Sequence, residues 1–176
     1  MSLVGVVVSS GHAVFGVFFL VIVADEAWRR LRRSWSGRSA LLVPAAFLVS
    51  GVAMWIATIR ANTANEYLVH SLWADVLLVV GAVEGARRSG RLGADRWGLV
   101  QPLGFLVGGA LLFVHLHGSL ADSSGALWHA LMGGALFASG LLDVAAQVAR
   151  PGRRGWMIAA EAPLVAFVVL LLTFPG

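Results

Sequence analysis

The chain contains no cysteine and no lysine. Without cysteine it forms no disulfide, offers no thiolate to a metal and runs no thiol redox chemistry. Charge of either sign is scarce: 12% of the 176 residues are charged, while 59% are hydrophobic. The mean hydropathy of +0.83 lies outside the range of soluble domains and inside that of membrane proteins. Also missing are a nucleotide-binding glycine loop, an HExxH metalloprotease helix and a GxSxG nucleophile elbow. No serine has an evident paired base, and no soluble domain is evident to hold a substrate. An enzyme acting on a bulky polar substrate is therefore not expected, although a membrane enzyme built on metal-binding residues stays open.

What is present is a set of long apolar runs. Six stretches, roughly 4–28, 39–59, 67–86, 97–117, 126–148 and 156–174, approach or exceed the ~20 residues that a hydrocarbon core requires. The first lacks a basic leader and is too long for a signal peptide. The expected fold is an all-α integral membrane protein with six transmembrane helices in one domain, 1–176. All thirteen basic residues are arginine, and the pI is about 11.3. Topology explains them better than nucleic acid does. Arg29, Arg30, Arg32, Arg33 and Arg38 fall between helices 1 and 2, Arg87, Arg88, Arg91 and Arg96 between helices 3 and 4, and Arg150, Arg153 and Arg154 between helices 5 and 6. Only Arg60 falls on the other side. Positive loops stay cytoplasmic, so both termini are expected outside. Trp28, Trp35, Trp97 and Trp156 then belong to the inner interface, and Trp55, Trp73 and Trp128 to the outer one. The alanine, glycine, valine and arginine bias suggests a bacterial, GC-rich genome, hence an inner membrane.

The chain also repeats. His12, His70 and His129 stand 58 and 59 residues apart, and each is followed fourteen residues later by an acid: Glu26, Glu84 and Asp143. Pro44 and Pro102 keep the interval, while Pro163 comes two residues late. The string Phe47–Gly51 (FLVSG) returns as Phe105–Gly109 (FLVGG). One interval spans one helix pair, which predicts three tandem αα-hairpins of common orientation, about 1–61, 62–119 and 120–176. Gly16, Gly51, Gly108, Gly109, Gly133 and Gly134 mark places where helices can approach closely.

All five histidines fall toward the outer face: His12, His70 and His129 on the odd helices, with His115 and His117 closing helix 4. Around a pseudo-threefold axis they can converge. Imidazoles suit copper or zinc, and Met54 and Met132, at similar depth, can add soft sulfur for Cu(I). Haem b held by the same imidazoles is an alternative. So is a non-metal scaffold or accessory subunit, in which the histidines only hydrogen-bond at the interface. Positions 115 and 117 point about 200° apart on a helix, so both face one site only if the helix ends near Gly118. The acids lie about 21 Å below the histidines, from a 1.5 Å rise per residue, and cannot share a metal with them. Glu26 followed by Arg29 and Arg30, and Glu84 followed by Arg87 and Arg88, read as structural ion pairs at the inner edge. Asp143 has no such neighbour. Asp75, inside helix 3, has no basic neighbour either. It is a candidate to orient a histidine or carry a proton. Glu161 in helix 6 is similar.

The segments VHSLWADVLLVVG (Val69–Gly81), PLGFLVGGALLFVHLHG (Pro102–Gly118) and WHALMGGALFASGLLD (Trp128–Asp143) resemble the membrane part of CopD/YcnJ-type copper resistance proteins. The resemblance covers about half the chain. It implies a bacterial inner-membrane protein that takes up or handles copper, with His70, His115, His117 and His129 facing the metal. It does not bear on His12, and the periplasmic copper-binding domain that often accompanies the family is absent. The expected partners are the lipid bilayer and a metal ion; the sequence leaves an oligomer or a partner subunit open.

The cysteine-free chain makes topology directly testable. Ala61→Cys is expected to react with a membrane-impermeant maleimide in intact spheroplasts, and Ser89→Cys only after lysis. The reverse pattern would invert the assignment.

Overall fold

Long runs of leucine, valine and alanine, punctuated by arginine and glycine, fold into six α-helices. The computed structural model describes residues 3–32, 38–61, 63–93, 97–115, 123–149 and 153–174, with side chains over 12–28, 40–61, 63–93, 97–115, 125–149 and 153–174. In chain order the helices are α1 (Leu3–Arg32), α2 (Leu42–Thr58), α3 (Ala64–Arg88), α4 (Val100–Val114), α5 (Ser123–Val148) and α6 (Arg153–Thr173). A short 3-10 turn, Arg38–Leu41, leads into α2. Three helices, α3, α5 and α6, contain stretches long and apolar enough to cross a membrane, and α2 and α4 are shorter apolar helices.

The apolar runs do not give the helix ends. Helix α3 starts at Ala64, three residues before its apolar run, because the Thr63 hydroxyl accepts a hydrogen bond from the Glu66 amide at 3.1 Å. That Thr-x-x-Glu spacing is a helix-start signature. At the other end Gly90 adopts φ 76°, and the Arg91 and Leu92 amides donate back to the Ala86 carbonyl. A left-handed glycine after the cap is a common helix stop. Helix α4 ends at Val114, before the predicted 117.

Each helix packs on the next in sequence, and α1 returns to α6, closing a ring of six. The hairpins expected from the repeat join α1 to α2, α3 to α4 and α5 to α6, and of these only the last is among the extensive contacts. The more extensive contacts join α2 to α3, α4 to α5 and α5 to α6. Connector length explains part of this: the chain crosses between α2 and α3 over 59–63 and between α5 and α6 over 149–152, but between α3 and α4 over 89–99.

Glycine explains the rest. A Cβ on Gly51 would lie 3.0 Å from the Ala74 carbonyl oxygen, and one on Gly81 3.0 Å from that of Pro44, both across α2–α3. Across α4–α5, a Cβ on Gly109 would lie 2.8 Å from the Gly133 oxygen, and one on Gly140 2.8 Å from the Pro102 oxygen. These are the same contacts, moved along the chain by one repeat interval. The third member is α6–α1. A Cβ on Gly16 would lie 3.4 Å from the Leu172 nitrogen, as one on Gly133 would lie 3.5 Å from the Phe113 nitrogen. Leu172 stands one interval beyond Phe113.

Inside the ring lies an aromatic core. Phe19 meets Phe167 at 5.0 Å and Phe47 at 6.3 Å between ring centroids, and Phe47 meets Phe105 at 6.1 Å. Met54 and Met132, considered above as soft ligands, are buried members of this apolar core. Trp73 departs from its expected interfacial place: it is 6% exposed. Its indole nitrogen occupies the space beside Gly108, 2.8 Å from where a Cβ would stand.

Helix contacts this close leave no room for a methyl group, and overpacking a well-filled core costs about 1–3 kcal/mol. Gly81→Ala and Gly109→Ala are each expected to lower the thermal midpoint of the purified protein. Gly85→Ala, whose nearest neighbour would be 3.6 Å away, is expected to leave it unchanged or raise it.

Candidate functional site

The two ends of the bundle carry the polar groups, and they differ in kind. At one end are histidines. His70 stands six residues into α3 and His129 six residues into α5, so both occupy the second turn and the same level. Helix α4 stops at Val114, and His115 leaves it in extended backbone with φ −78° and ψ 108°. The freed Val114 carbonyl accepts from the Asn65 side-chain amide at 3.1 Å. This bond ties the end of α4 to the first turn of α3 and holds the His115 backbone beside His70.

The rings then form a row. His70 and His115 lie 4.7 Å apart between centroids, His115 and His129 4.9 Å, and His129 and His12 5.9 Å. Four of the five histidines, from four different helices or helix ends, are thus brought together. His117 lies outside the described residues. Phe174, just past α6, closes the row: it stacks on His12 at 4.2 Å and meets His129 edge-on at 5.4 Å. His115 and His129 are buried at 4% and 2% exposure, whereas His12 and His70 are partly exposed.

The proton on His129 can be placed. Its Nδ1 lies 2.7 Å from the Gly125 carbonyl oxygen, which can only accept. Nδ1 therefore carries a hydrogen, and whenever the ring is neutral the lone pair is on Nε2. A metal-binding histidine commonly has this arrangement, with its second N–H held by a carbonyl. Two imidazoles on one tetrahedral ion, with metal–nitrogen bonds of about 2.0–2.1 Å, put their ring centroids about 5 Å apart. The His70–His115 and His115–His129 separations match that spacing. Among the described residues, however, no three histidine, aspartate or glutamate side chains already point their donor atoms so as to hold an ion. The rings meet edge-on or tilted and must turn to share one.

Asp75 lies away from the histidine row. Its Oδ1 accepts from the Trp55 indole nitrogen at 3.1 Å, on the exposed side of the α2–α3 pair. Five residues separate it from His70, which turns the two about 140° apart on the helix.

The opposite end holds an ion-pair network centred on Arg88, whose side chain is 6% exposed. Its Nε donates to Glu84 at 3.1 Å, one terminal nitrogen to Asp25 at 3.0 Å and to the Ala40 carbonyl at 3.2 Å, and the other to Glu26 at 3.1 Å. Arg87 adds a two-pronged contact to Glu84 at 2.6 and 3.0 Å. Gln101 of α4 donates to Glu26 at 3.3 Å. Only a guanidinium, with five donors in a planar fork, can serve three carboxylates this way.

The expected pairing of Glu84 with Arg87 and Arg88 is present. Glu26 reaches Arg88 across the bundle, whereas the sequence pointed to its neighbours Arg29 and Arg30, whose side chains lie outside those described. Asp143 is buried at 6% exposure. Asp25, Gln101 and Phe174 were not singled out from sequence. Phe174 had a signal, because it follows His115 by one repeat interval. Asp25 had none, since its counterparts at that interval are Val83 and Leu142.

Compared with protein-family models, with curated proteins and with solved structures, the chain matches none. The likeness to copper resistance proteins accordingly rests on the three sequence segments alone.

Removing one partner of a buried ion pair costs about 3–5 kcal/mol. Arg88→Met is expected to lose stability on that scale in a denaturation series, and Arg88→Lys to restore only part of it. Arg87→Met, at a side chain 23% exposed, is expected to cost clearly less.

Proposed function

We propose that the chain is a six-span bacterial inner-membrane protein that captures a transition metal, copper foremost, on the histidines at its periplasmic end. The observation that carries this reading is the row His70–His115–His129, at centroid separations of 4.7 and 4.9 Å. An assembly of four imidazoles drawn from α1, α3, α5 and the end of α4 is far from what interfacial hydrogen bonding alone requires. It supplies the donors that suit copper and zinc. Haem fits less well. Axial imidazoles stand on opposite faces of a macrocycle, and rings this close leave no slot between them for one.

The membrane setting is supported by the apolar helices and by the outward-facing side chains. Val17, Ile56, Val79, Phe113, Leu131 and Val169 are all about half exposed, more apolar surface than water tolerates. The arginine bias supports cytoplasmic loops after α1, α3 and α5, with both termini outside. The repeated glycine contacts support three tandem hairpins arranged cyclically, so that His12, His70 and His129 share one depth. The role we assign is handling of the ion at that face. Passage across the bilayer would require the layer of Phe19, Phe47, Phe105 and Phe167 to part.

Purified full-length protein, stripped and reloaded with Cu(II), Cu(I) or Zn(II), is expected to retain one equivalent of copper by elemental analysis. His70→Ala, His115→Ala and His129→Ala are each expected to lose it while keeping wild-type helix content. A Soret band in the untreated protein would replace this reading with haem binding. Wild-type retention of copper in all three variants would remove the site.

A further inference from the structure

One acid faces away from the bundle. Within α3, Glu84 is buried and meets Arg87 and Arg88, and an acid within a membrane span ordinarily faces the interior in this way. Asp75 is instead exposed, on the outer side of the α2–α3 pair. It lies near the middle of α3, about 16 Å from the helix start and about 20 Å from its end at 1.5 Å per residue. This helix is one of those long and apolar enough to cross a membrane. At that depth in a hydrocarbon core about 30 Å thick, lipid headgroups do not reach a short carboxylate side chain. Among the described residues Asp75 accepts one hydrogen bond, from the Trp55 indole at 3.1 Å, and meets no cation. A carboxylate has two acceptor oxygens, each able to take more than one donor.

The fold itself does not ask for an acid here. The counterparts of Asp75 at the repeat interval are Val17 and Gly134. Asp75 also belongs to a row. Leu68, Leu72, Asp75, Val79 and Ala82 are all exposed and follow one another at alternating steps of four and three residues. That is the spacing with which one helix packs along another, and a polar residue in such a seam sets register and choice of partner. Depth then selects the chemistry of the partner. A second copy inserted in the same orientation keeps every residue at its own level, so Asp75 would face Asp75, and like charges in contact are unfavourable. The chain has no lysine, and its described arginines, Arg60, Arg87, Arg88, Arg91, Arg153 and Arg154, lie at or beyond helix ends.

We propose that the outer face of α3 is an assembly surface for a transmembrane helix of a different protein, one that carries a lysine or arginine near mid-membrane to pair with Asp75. Trp55 holds the carboxylate against α2 and leaves its other oxygen to the partner. The pairing rests on the membrane setting of α3 and is independent of whether the histidines hold a metal.

The test reconstitutes the full-length protein in lipid vesicles with synthetic leucine–alanine transmembrane peptides that carry lysine or leucine at the centre. Association is read by energy transfer between labels. The lysine peptide is expected to bind about tenfold more tightly than the leucine peptide, the scale of one interhelical hydrogen bond. Asp75→Leu is expected to abolish that preference with helix content unchanged by circular dichroism. Asp75→Asn, which keeps an acceptor for Trp55 but no charge, is expected to reduce it and serves if the leucine variant does not fold. Equal binding of the two peptides to the wild type, or a preference undiminished in the variants, overturns the pairing. So does self-association of the wild type, counted by stepwise photobleaching, that Asp75→Leu abolishes, because the occupant is then a second copy. Alkaline carbonate extraction checks the membrane setting separately. Protein released from the vesicles removes that setting, whereas retained protein without a lysine preference removes the pairing alone.

Discussion

Backbone held against backbone is the constraint on which the rest of the bundle depends. In lipid, apolar side chains gain little by leaving their surroundings, so helices hold together through close van der Waals contact. Here that contact is made where Gly51 and Gly81 admit α3 to α2, and where Gly109 and Gly140 admit α5 to α4. Pro44 and Pro102 lie at the same interfaces. Neither needs a hydrogen-bonded amide so near its helix start, and the carbonyl of each faces a glycine across the gap. The α4–α5 pair fixes the level of His129 relative to the end of α4, and the Asn65 bond to the Val114 carbonyl ties the start of α3, and with it His70, to the same end. The histidine row is thus a consequence of packing some distance away from it.

The two polar ends are built on different principles. At the Arg88 end the guanidinium makes four hydrogen bonds, to three carboxylates and a carbonyl, and a glutamine braces Glu26. Such an arrangement specifies which helices meet and has little freedom left. The histidine end is held by ring contacts and by the tie from Asn65 to the Val114 carbonyl. Between the ends lie four buried phenylalanines, Phe19, Phe47, Phe105 and Phe167.

Much of this was legible before the fold was known. Hydropathy located the six helices because each apolar run is bounded by arginine, glycine or proline, and the regular interval put His12, His70 and His129 at one level. The apolar run carried α4 to 117, whereas the helix stops at Val114 and so frees His115 from helical geometry. What could not be read was choice of partner. Glu26 has arginines three and four residues on, yet Arg88 reaches it from another helix, because burial rewards a guanidinium shared among several carboxylates. Trp73 reads as interfacial until Gly108 is seen to make room for its indole in the core. The cap formed by Thr63 and Glu66 was visible in the sequence but lies outside any apolar run, so hydropathy passed over it.

The shared arginine also imposes an order on biogenesis. Glu26 and Arg88 are separated by 62 residues and Asp25 and Arg88 by 63, and a ribosome delivers the N-terminal partner first. Asp25 and Glu26 of α1 are therefore made well before their final counter-charge exists. Arg29 and Arg30, adjacent in sequence, are the charges at hand in that interval. When α3 packs, Arg88 brings the acids a buried counter-charge, and docking of the third helix becomes the step that locks the first in place.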